Sequence, residues 1–326
     1  MSNLSATAAT RSTRNIAASV CAISLFWLVL AAVQSAAPPS SMTVPLEVIG
    51  SRPAEPYFAV PPAYESRRLA LIGDVRTEGR EPPKVFDRVV GQLADAQADV
   101  LLSIGDLINA NHGASPDEQW RALRHAVEPA GARRFLPCLG NHDTNGSATT
   151  LSPFRALFDL PLNGPPGLDE LAYSIDDGPV HLVCIATEQP GQEHSLGELQ
   201  LAWLERDLNQ TSAPFVLVFG HDPAYPIGPH IGGSLDRYPD QRDQLWRLMQ
   251  KAGVTAYLSG HEHLYHRQVV DGLTEVILGS SGSDVKMGYG GDFVGFALFE
   301  VTEQALEAHV TDVDGQVRDR FALPRR

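Results

Sequence analysis

The sequence predicts an α/β domain in which two sheets pack together and helices cover their outer faces. Three observations carry this. Short apolar runs alternate with segments of helical periodicity through the middle of the chain. The end of the chain reads as one strand after another. Several of the apolar runs stop at a Gly that is followed at once by Asp, Asn or His, the way a rigid strand delivers a side chain into a loop.

The elements follow in order. Residues 1–15 are polar and contain Arg11 and Arg14 but no acid. Residues 16–33 are uncharged and mostly apolar, and Gln34-Ser35-Ala36-Ala37 closes the run with small residues. Basic start, apolar core and small residues form an export signal. The run also reaches the short edge of a membrane-spanning length, roughly 17–25 residues. Residues 1–37 are therefore expected to be a cleaved signal peptide or an N-terminal membrane anchor that tethers the chain through residues 16–33. Either way the body of the protein is expected outside the cytoplasm, periplasmic or secreted. Residues 38–65 contain seven prolines and read as an extended linker or loosely packed arm. A single catalytic domain is expected over 66–326.

Within it, residues 69–73, 100–104 and 134–139 are buried-type strands. The spacing of Val85, Val89, Val90, Leu93 and Ala96 predicts a helix over 83–96, with Pro83 in its first turn. Ser115 is the candidate N-cap of a helix through Trp120, Leu123 and Val127. Strands at 171–175 and 180–185 flank Asp176-Asp177-Gly178-Pro179, a hairpin turn. Ser195-Leu196-Gly197-Glu198 reads as a capping box before a helix carrying Leu201, Leu204 and Leu208. Strand 215–219, helix 240–251 and strand 254–258 follow. The β-rich end comprises 268–270, 274–278, 293–301, 306–310 and a last run near 317–323. No internal repeat is visible.

The chain has 326 residues, 43% of them hydrophobic, enough for a sizeable core. Its net charge is −14. That acidity argues against a protein that wraps a nucleic-acid backbone, which needs a basic face. A small phosphorylated substrate remains compatible, because bound cations reverse the local field. Of the three cysteines, Cys21 lies in the apolar N-terminal run, and Cys138 and Cys184 lie in expected core strands. The last two read as buried small hydrophobes or as one disulfide.

Five strand ends concentrate the chemistry. They are Leu71-Ile72-Gly73-Asp74, Ser103-Ile104-Gly105-Asp106, Cys138-Leu139-Gly140-Asn141-His142-Asp143, Val218-Phe219-Gly220-His221 and Leu258-Ser259-Gly260-His261-Glu262-His263. In α/β folds ligands sit beyond the carboxyl ends of strands. Asp74, Asp106, Asn141, His142, His221, His261 and His263 would then converge. The set offers oxygen and imidazole donors and no thiolate, which suits Mn, Fe or Zn. Its size exceeds the need of one tetrahedral ion, so two divalent or trivalent ions sharing a carboxylate is the simpler reading. Two such ions about 3.5–4 Å apart clamp a phosphoryl group and lower the pKa of water. His142 would protonate the leaving oxygen.

In this ordered set the sequence resembles the calcineurin-like metallophosphoesterases, which include the purple acid phosphatases. The resemblance runs from about Arg68 to Leu323. It implies a four-layer α/β/β/α sandwich and a dinuclear metal centre acting on a small phosphorylated substrate. Carried over by position, Asp106 would bridge the ions, Asp74 and His263 would serve one, and Asn141, His221 and His261 the other. His142 would be the acid or a phosphate contact. Two positions depart from the pattern. The first motif, usually Asp-x-His, is Asp74-Val75-Arg76, and Arg cannot donate a lone pair. A Tyr of the purple acid phosphatases is replaced by Asn109. The first ion would then be weakly held, completed by water, or served by the Asn109 carbonyl oxygen, and Arg76 would face solvent or grip a substrate phosphate in bidentate fashion.

Other residues read as less central. Asn111, His112 and His266 are expected on the surface, as are His125, His181 and His194. His230 lies in a Gly- and Pro-rich run and could line the pocket. Glu262 is expected to point away from the ions, and Trp120, Trp203 and Trp246 into the core. The expected function is an exported metal-dependent phosphoester hydrolase. Its alternatives are a phosphodiesterase or pyrophosphatase for nucleotide-like substrates, and a weakly catalytic binding protein that has lost one metal site.

Overall fold

The apolar runs pair into two six-stranded mixed sheets. The computed structural model describes Phe58–Ala59 and residues 68–326, all within one compact unit. The expected signal or anchor at 1–37 and most of the Pro-rich stretch lie outside the described residues. Phe58–Ala59 (β1), inside that stretch, pairs in parallel with β5 (Phe158–Asp159).

The first sheet begins with β2 (Arg68–Ile72), β3 (Val100–Ser103) and β4 (Arg134–Pro137), which run parallel. The antiparallel strands β12 (Gly295–Val301), β13 (Ala305–Asp312) and β14 (Val317–Pro324) extend it in the order β14-β13-β12-β2-β3-β4. The second sheet has the order β10-β11-β9-β8-β7-β6. Its parallel centre is β7 (Val180–Cys184), β8 (Phe215–Phe219), β9 (Ala256–Ser259) and β11 (Leu273–Leu278). β6 (Tyr173–Asp177) and β10 (Tyr265–Val270) close its edges antiparallel.

Central parallel strands are covered on both faces, so their sequences are uninterrupted apolar runs. Leu69, Ala70, Leu71 and Ile72 are fully buried, and so are Val216, Leu217, Val218 and Phe219. Each such Leu, Ile or Val contributes about 1.5–3 kcal/mol relative to exposure. Edge strand β10 alternates instead, with Tyr265 buried and Arg267 and Val269 exposed.

Helices α1 (Lys84–Ala96), α2 (Pro116–Val127) and α4 (Leu151–Leu157) belong to the first half of the chain. Helices α5 (Gly197–Gln210) and α6 (Pro239–Lys251) belong to the second half and touch each other. Trp120, Trp203 and Trp246 are buried, as their helical spacing predicts. Ser115 caps α2 through a reciprocal bond with Glu118. Two expectations fail at helix starts. Pro83 is the extended N-cap of α1, outside its first turn. Ser195-Leu196-Gly197-Glu198 is not a capping box: Ser195 Oγ bonds Gln241 Oε1, which also accepts the backbone N–H of Leu196 and Gly197. A side chain from α6 thus supplies the cap that the local sequence imitates.

Polar bonds cross between the sheets. Tyr173 Oη donates to Pro137 O at 2.9 Å, and the fully buried pair Arg134–Asp177 closes at 3.1 Å. Cys138 and Cys184 are buried free thiols. His181, expected on the surface, is buried on β7 between Asp176 (2.6 Å) and Asp207 (2.8 Å).

Candidate metal centre

Strand register brings the five motifs together. Ile72, Ser103 and Pro137 are level across β2, β3 and β4, so their loops leave side by side. Phe219 and Leu258 are level in the second sheet. The loops then interlock: Asp74 N donates to Gly105 O at 3.0 Å and Gly260 N to His221 O at 2.8 Å.

Of the five glycines before the ligand-type residues, Gly105 alone turns the chain through a positive φ (87°), while Gly140 and Gly260 make room. A Cβ at Gly140 would lie 2.2 Å from Asp106 Oδ1, and one at Gly260 2.6 Å from Asp74 Oδ2. Left-handed backbone also falls on side-chain-bearing residues: Asp74 (φ 50°), Arg76 (54°), Asp106 (52°), His261 (69°) and His263 (53°). Each costs roughly 1–2 kcal/mol, and such strain gathers at functional sites.

One group of atoms gathers on His221 Nε2, which lies 3.5 Å from Asp106 Oδ1, 3.1 Å from Asn141 Oδ1 and 3.0 Å from His261 Nδ1. The opposite ring nitrogens donate to backbone carbonyls, His221 Nδ1 to Ile104 O at 2.8 Å and His261 Nε2 to Gly233 O at 2.9 Å. A carbonyl only accepts, so those nitrogens carry the hydrogens. Two imidazole lone pairs then face each other with two oxygen acceptors beside them. A cation satisfies all four at once, so these residues fit a metal ion. A proton competes for the same place. Burial disfavours a charged His221, but Asp106, Asp74, Asp222 and Glu188 outweigh it and raise its pKa to about 9.

A second group joins Asp74, Asp106 and His263, all buried, with ligand atoms within 4.8 Å of one another. Asp74 Oδ1 is 3.3 Å from His263 Nε2, and neither atom has a hydrogen-bond partner. His263 Nδ1 donates to Asp284 O at 2.9 Å, which leaves Nε2 turned to Asp74. Burial works to raise the Asp74 pKa, yet His263, with His221 and Arg76, holds it below the ordinary value. These three residues also fit a cation.

Arg76 is half-buried and does not stand free. Its Nε and Nη2 each lie 3.3 Å from Asp106 Oδ2. The carboxylate that the family pattern makes a bridge therefore already carries a guanidinium. Asn109 does not complete the group of Asp74 and His263. Its Oδ1 lies 3.2 Å from His142 Nδ1, and its Nδ2 donates to Glu78 Oε1 at 2.8 Å.

His142 is the second residue of the short helix α3 (Asn141–Thr144) and is anchored by its backbone N–H on Asp106 Oδ1 at 2.9 Å. Its Nε2 lies 4.0 Å from Asp106 Oδ2. Burial lowers its pKa, with Asp106 opposing and Arg76 reinforcing the shift. Asp143 turns inward, where its oxygens accept Ile108 N and Gly140 N, each at 2.8 Å. It clasps the second and third motif loops together.

Two histidines carry more of the site than their sequence suggested. The His230 ring centre lies 4.2 Å from that of His261 and 6.4 Å from that of His263, and burial lowers its pKa to about 4. Its sequence signal was its place in a Gly- and Pro-rich loop between two motifs. His194 is not an ordinary surface residue. Its Nδ1 sits 2.9 Å from Glu188 Oε1 and 3.1 Å from Asp222 Oδ2, and its ring centre is 5.7 Å from that of His261. Burial opposes its charge, but the two carboxylates raise its pKa to about 10. Nothing local in the sequence marks it. Asn111 and His112 are exposed. Glu262 is buried, with Oε2 3.8 Å from His230 Nδ1. A cavity of about 450 Å³ adjoins the second group, lined by Arg76, Glu78, His263, Ser283, Asp284 and Lys286 among others.

This arrangement of sheets, loops and side chains has known relatives. A model of the calcineurin-like phosphoesterases matches residues 67–265, and the chain belongs to that family. Within it the chain is similar to purple acid phosphatases. It is 26% identical over 267 residues to mouse (Mus musculus) tartrate-resistant acid phosphatase type 5, covering 70% of this chain and 80% of that one. It is 27% identical over 212 residues to the Arabidopsis thaliana protein named "Probable inactive purple acid phosphatase 9", covering 55% of this chain and 31% of that one. The solved structure of a purple acid phosphatase from yellow lupin (Lupinus luteus) seeds shares the fold, with a TM-score of 0.67, 20% identity, and coverage of 82% of this chain and 55% of that one. The chain thus spans about a third of the Arabidopsis relative and about half of the lupin chain.

Proposed function

We propose that this protein is an exported metal-dependent hydrolase of small phosphoesters with two cation positions. The observation that carries the reading is the convergence of Asp106 Oδ1, Asn141 Oδ1, His221 Nε2 and His261 Nδ1, four acceptors drawn from four separate loops. On this reading those residues hold one ion, and Asp74, His263 and the shared Asp106 hold the other. Mn, Fe or Zn suits the donors. When bound, the ions supply positive charge against phosphoryl oxygens and acidify water.

The protein's own groups do the remaining work. His142 gives a proton to the leaving oxygen and then needs one back. Because burial lowers its pKa, the protonated form is an acidic-range species. Arg76 and Lys286 line the cavity beside the centre and offer positive charge to a substrate anion. Export and an N-terminal tether rest on the pattern of residues 1–37. Among the described residues, no helix is long and apolar enough to cross a membrane.

The test is hydrolysis of p-nitrophenyl phosphate and bis(p-nitrophenyl) phosphate by the full chain. Turnover should stop with a chelator and return with Mn, Fe or Zn. Absence of turnover with all three metals would remove the reading. A second reading, a binding protein with little turnover, is favoured by one observation, the Arg76 guanidinium on Asp106. A single ion per chain without hydrolysis would select it.

A further inference from the structure

We propose that Arg76 competes with a metal ion for the Asp106 carboxylate, so that the two cation positions fill unequally. The position built on Asp74 and His263 fills only as the Arg76 guanidinium moves off. The inference rests on the cation-binding reading given above and assigns its order of loading.

The two oxygens of Asp106 have different neighbours. Oδ1 accepts the backbone N–H of His142 at 2.9 Å and faces His221 Nε2 at 3.5 Å, so nothing cationic holds it against a metal ion except a proton on His221. Oδ2 accepts both Nε and Nη2 of Arg76 at 3.3 Å. Yet Asp106 is also the third member of the buried trio with Asp74 and His263. In that trio Asp74 Oδ1 and His263 Nε2 stand 3.3 Å apart, buried and without partners. Neither atom makes a hydrogen bond, and buried polar atoms left this way are costly. A guanidinium is always charged and has no lone pair to share. It neutralises Asp106 but leaves Asp74 and His263 unsatisfied. A divalent ion satisfies all three.

The backbone builds this rivalry in. Arg76 N donates to Asp106 O at 2.9 Å, and the left-handed φ of 54° at Arg76 turns its side chain back toward the same residue. The guanidinium also has somewhere to go. The Arg76 side chain is 25% exposed and lines the cavity of about 450 Å³, together with Glu78, Glu81 and Asp284. Rotating into that space exchanges one carboxylate for others at little cost in solvation. It also frees the Asp106 carboxylate, the third member of the trio with Asp74 and His263.

The experiment is metal loading of the full chain, read as ions per chain by elemental analysis. Chelator-stripped protein is dialysed against buffered Mn²⁺ or Zn²⁺ over a range of free concentrations. The wild type should load in two steps separated by about tenfold or more, the scale of losing a charge-assisted pair. Arg76→Ala should move the weaker step to lower free metal by about tenfold or more and leave the stronger step in place. Arg76→His, which adds a lone pair, should move it further. A wild type that stops at one ion while both variants reach two is the limiting form of the same result. The unmoved stronger step shows that each variant has folded. Two ions loading together in the wild type would overturn the proposal, as would a weaker step that neither variant shifts. Two ions loading in the expected order without phosphoester turnover would overturn the hydrolase reading alone. No ion binding at any concentration would overturn both.

Discussion

The two cation positions share Asp106 and differ in almost everything else. Around Oδ1, the imidazoles of His221 and His261 are pinned by Ile104 O and Gly233 O, so their free lone pairs point at one spot before any ion arrives. In the other group, Asp74 and His263 face each other without a hydrogen bond, while Arg76 holds the carboxylate that completes their trio. One carboxylate is thus organised for binding on one side and defended on the other. Neutralising a buried charge is a separate matter from satisfying its neighbours.

Substitutions separate the two positions experimentally. The largest effect is expected at the organised side. His221→Ala removes the atom that faces Asp106, Asn141 and His261 together, and turnover should fall by at least about 10³-fold with loss of the tighter ion. Retained metal and turnover would break the comparison outright. His142→Ala should lower kcat by about 10²–10⁴-fold on an alkyl phosphate, whose leaving oxygen needs a proton. On p-nitrophenyl phosphate the loss should be much smaller. An equal loss on both would exclude the acid role.

The pH profile follows with a definite sign. An acid works only while protonated, and burial holds the His142 pKa below its ordinary 6.5. Thus kcat should fall as pH rises through that lowered value, and His142→Ala should lack this limb. Metal retention should change in the opposite sense. A proton competes for His221, which is raised to about 9 by the surrounding carboxylates, so acidification should weaken the tighter ion. Asp74→Asn tests the defended side. It should weaken the looser ion by at least about tenfold while the tighter ion stays. The smallest effect is expected at Asn109→Ala, which removes one bond to His142 Nδ1 and should cost about two- to tenfold in kcat without altering metal content.

The fold and the core of the centre were legible because their signals are local. An uninterrupted apolar run, a Gly and a ligand-type side chain occupy a handful of adjacent residues, and parallel pairing brings such ends level. The order of the motifs identified the family from the same residues. What the sequence hid depends on the third dimension. Arg76 finds Asp106 across thirty residues, and the Asn109 oxygen turns to His142 and not to an ion. His194 owes its place to Glu188 and Asp222, which no spacing links to it. Helix α5 takes its cap from Gln241, so Ser195 and Glu198 matched the wording of a capping box without its geometry.

The positive φ angles at Asp74, Arg76, Asp106, His261 and His263 have a consequence for how this pocket can be remodelled. Residues branched at Cβ fit such a backbone worst, while Gly, Asn, Asp and His fit it best. Saturation libraries at these five codons should therefore lose Val, Ile and Thr first, through failed folding and low yield. At position 76, where no lone pair is required, Gly and Asn should accumulate.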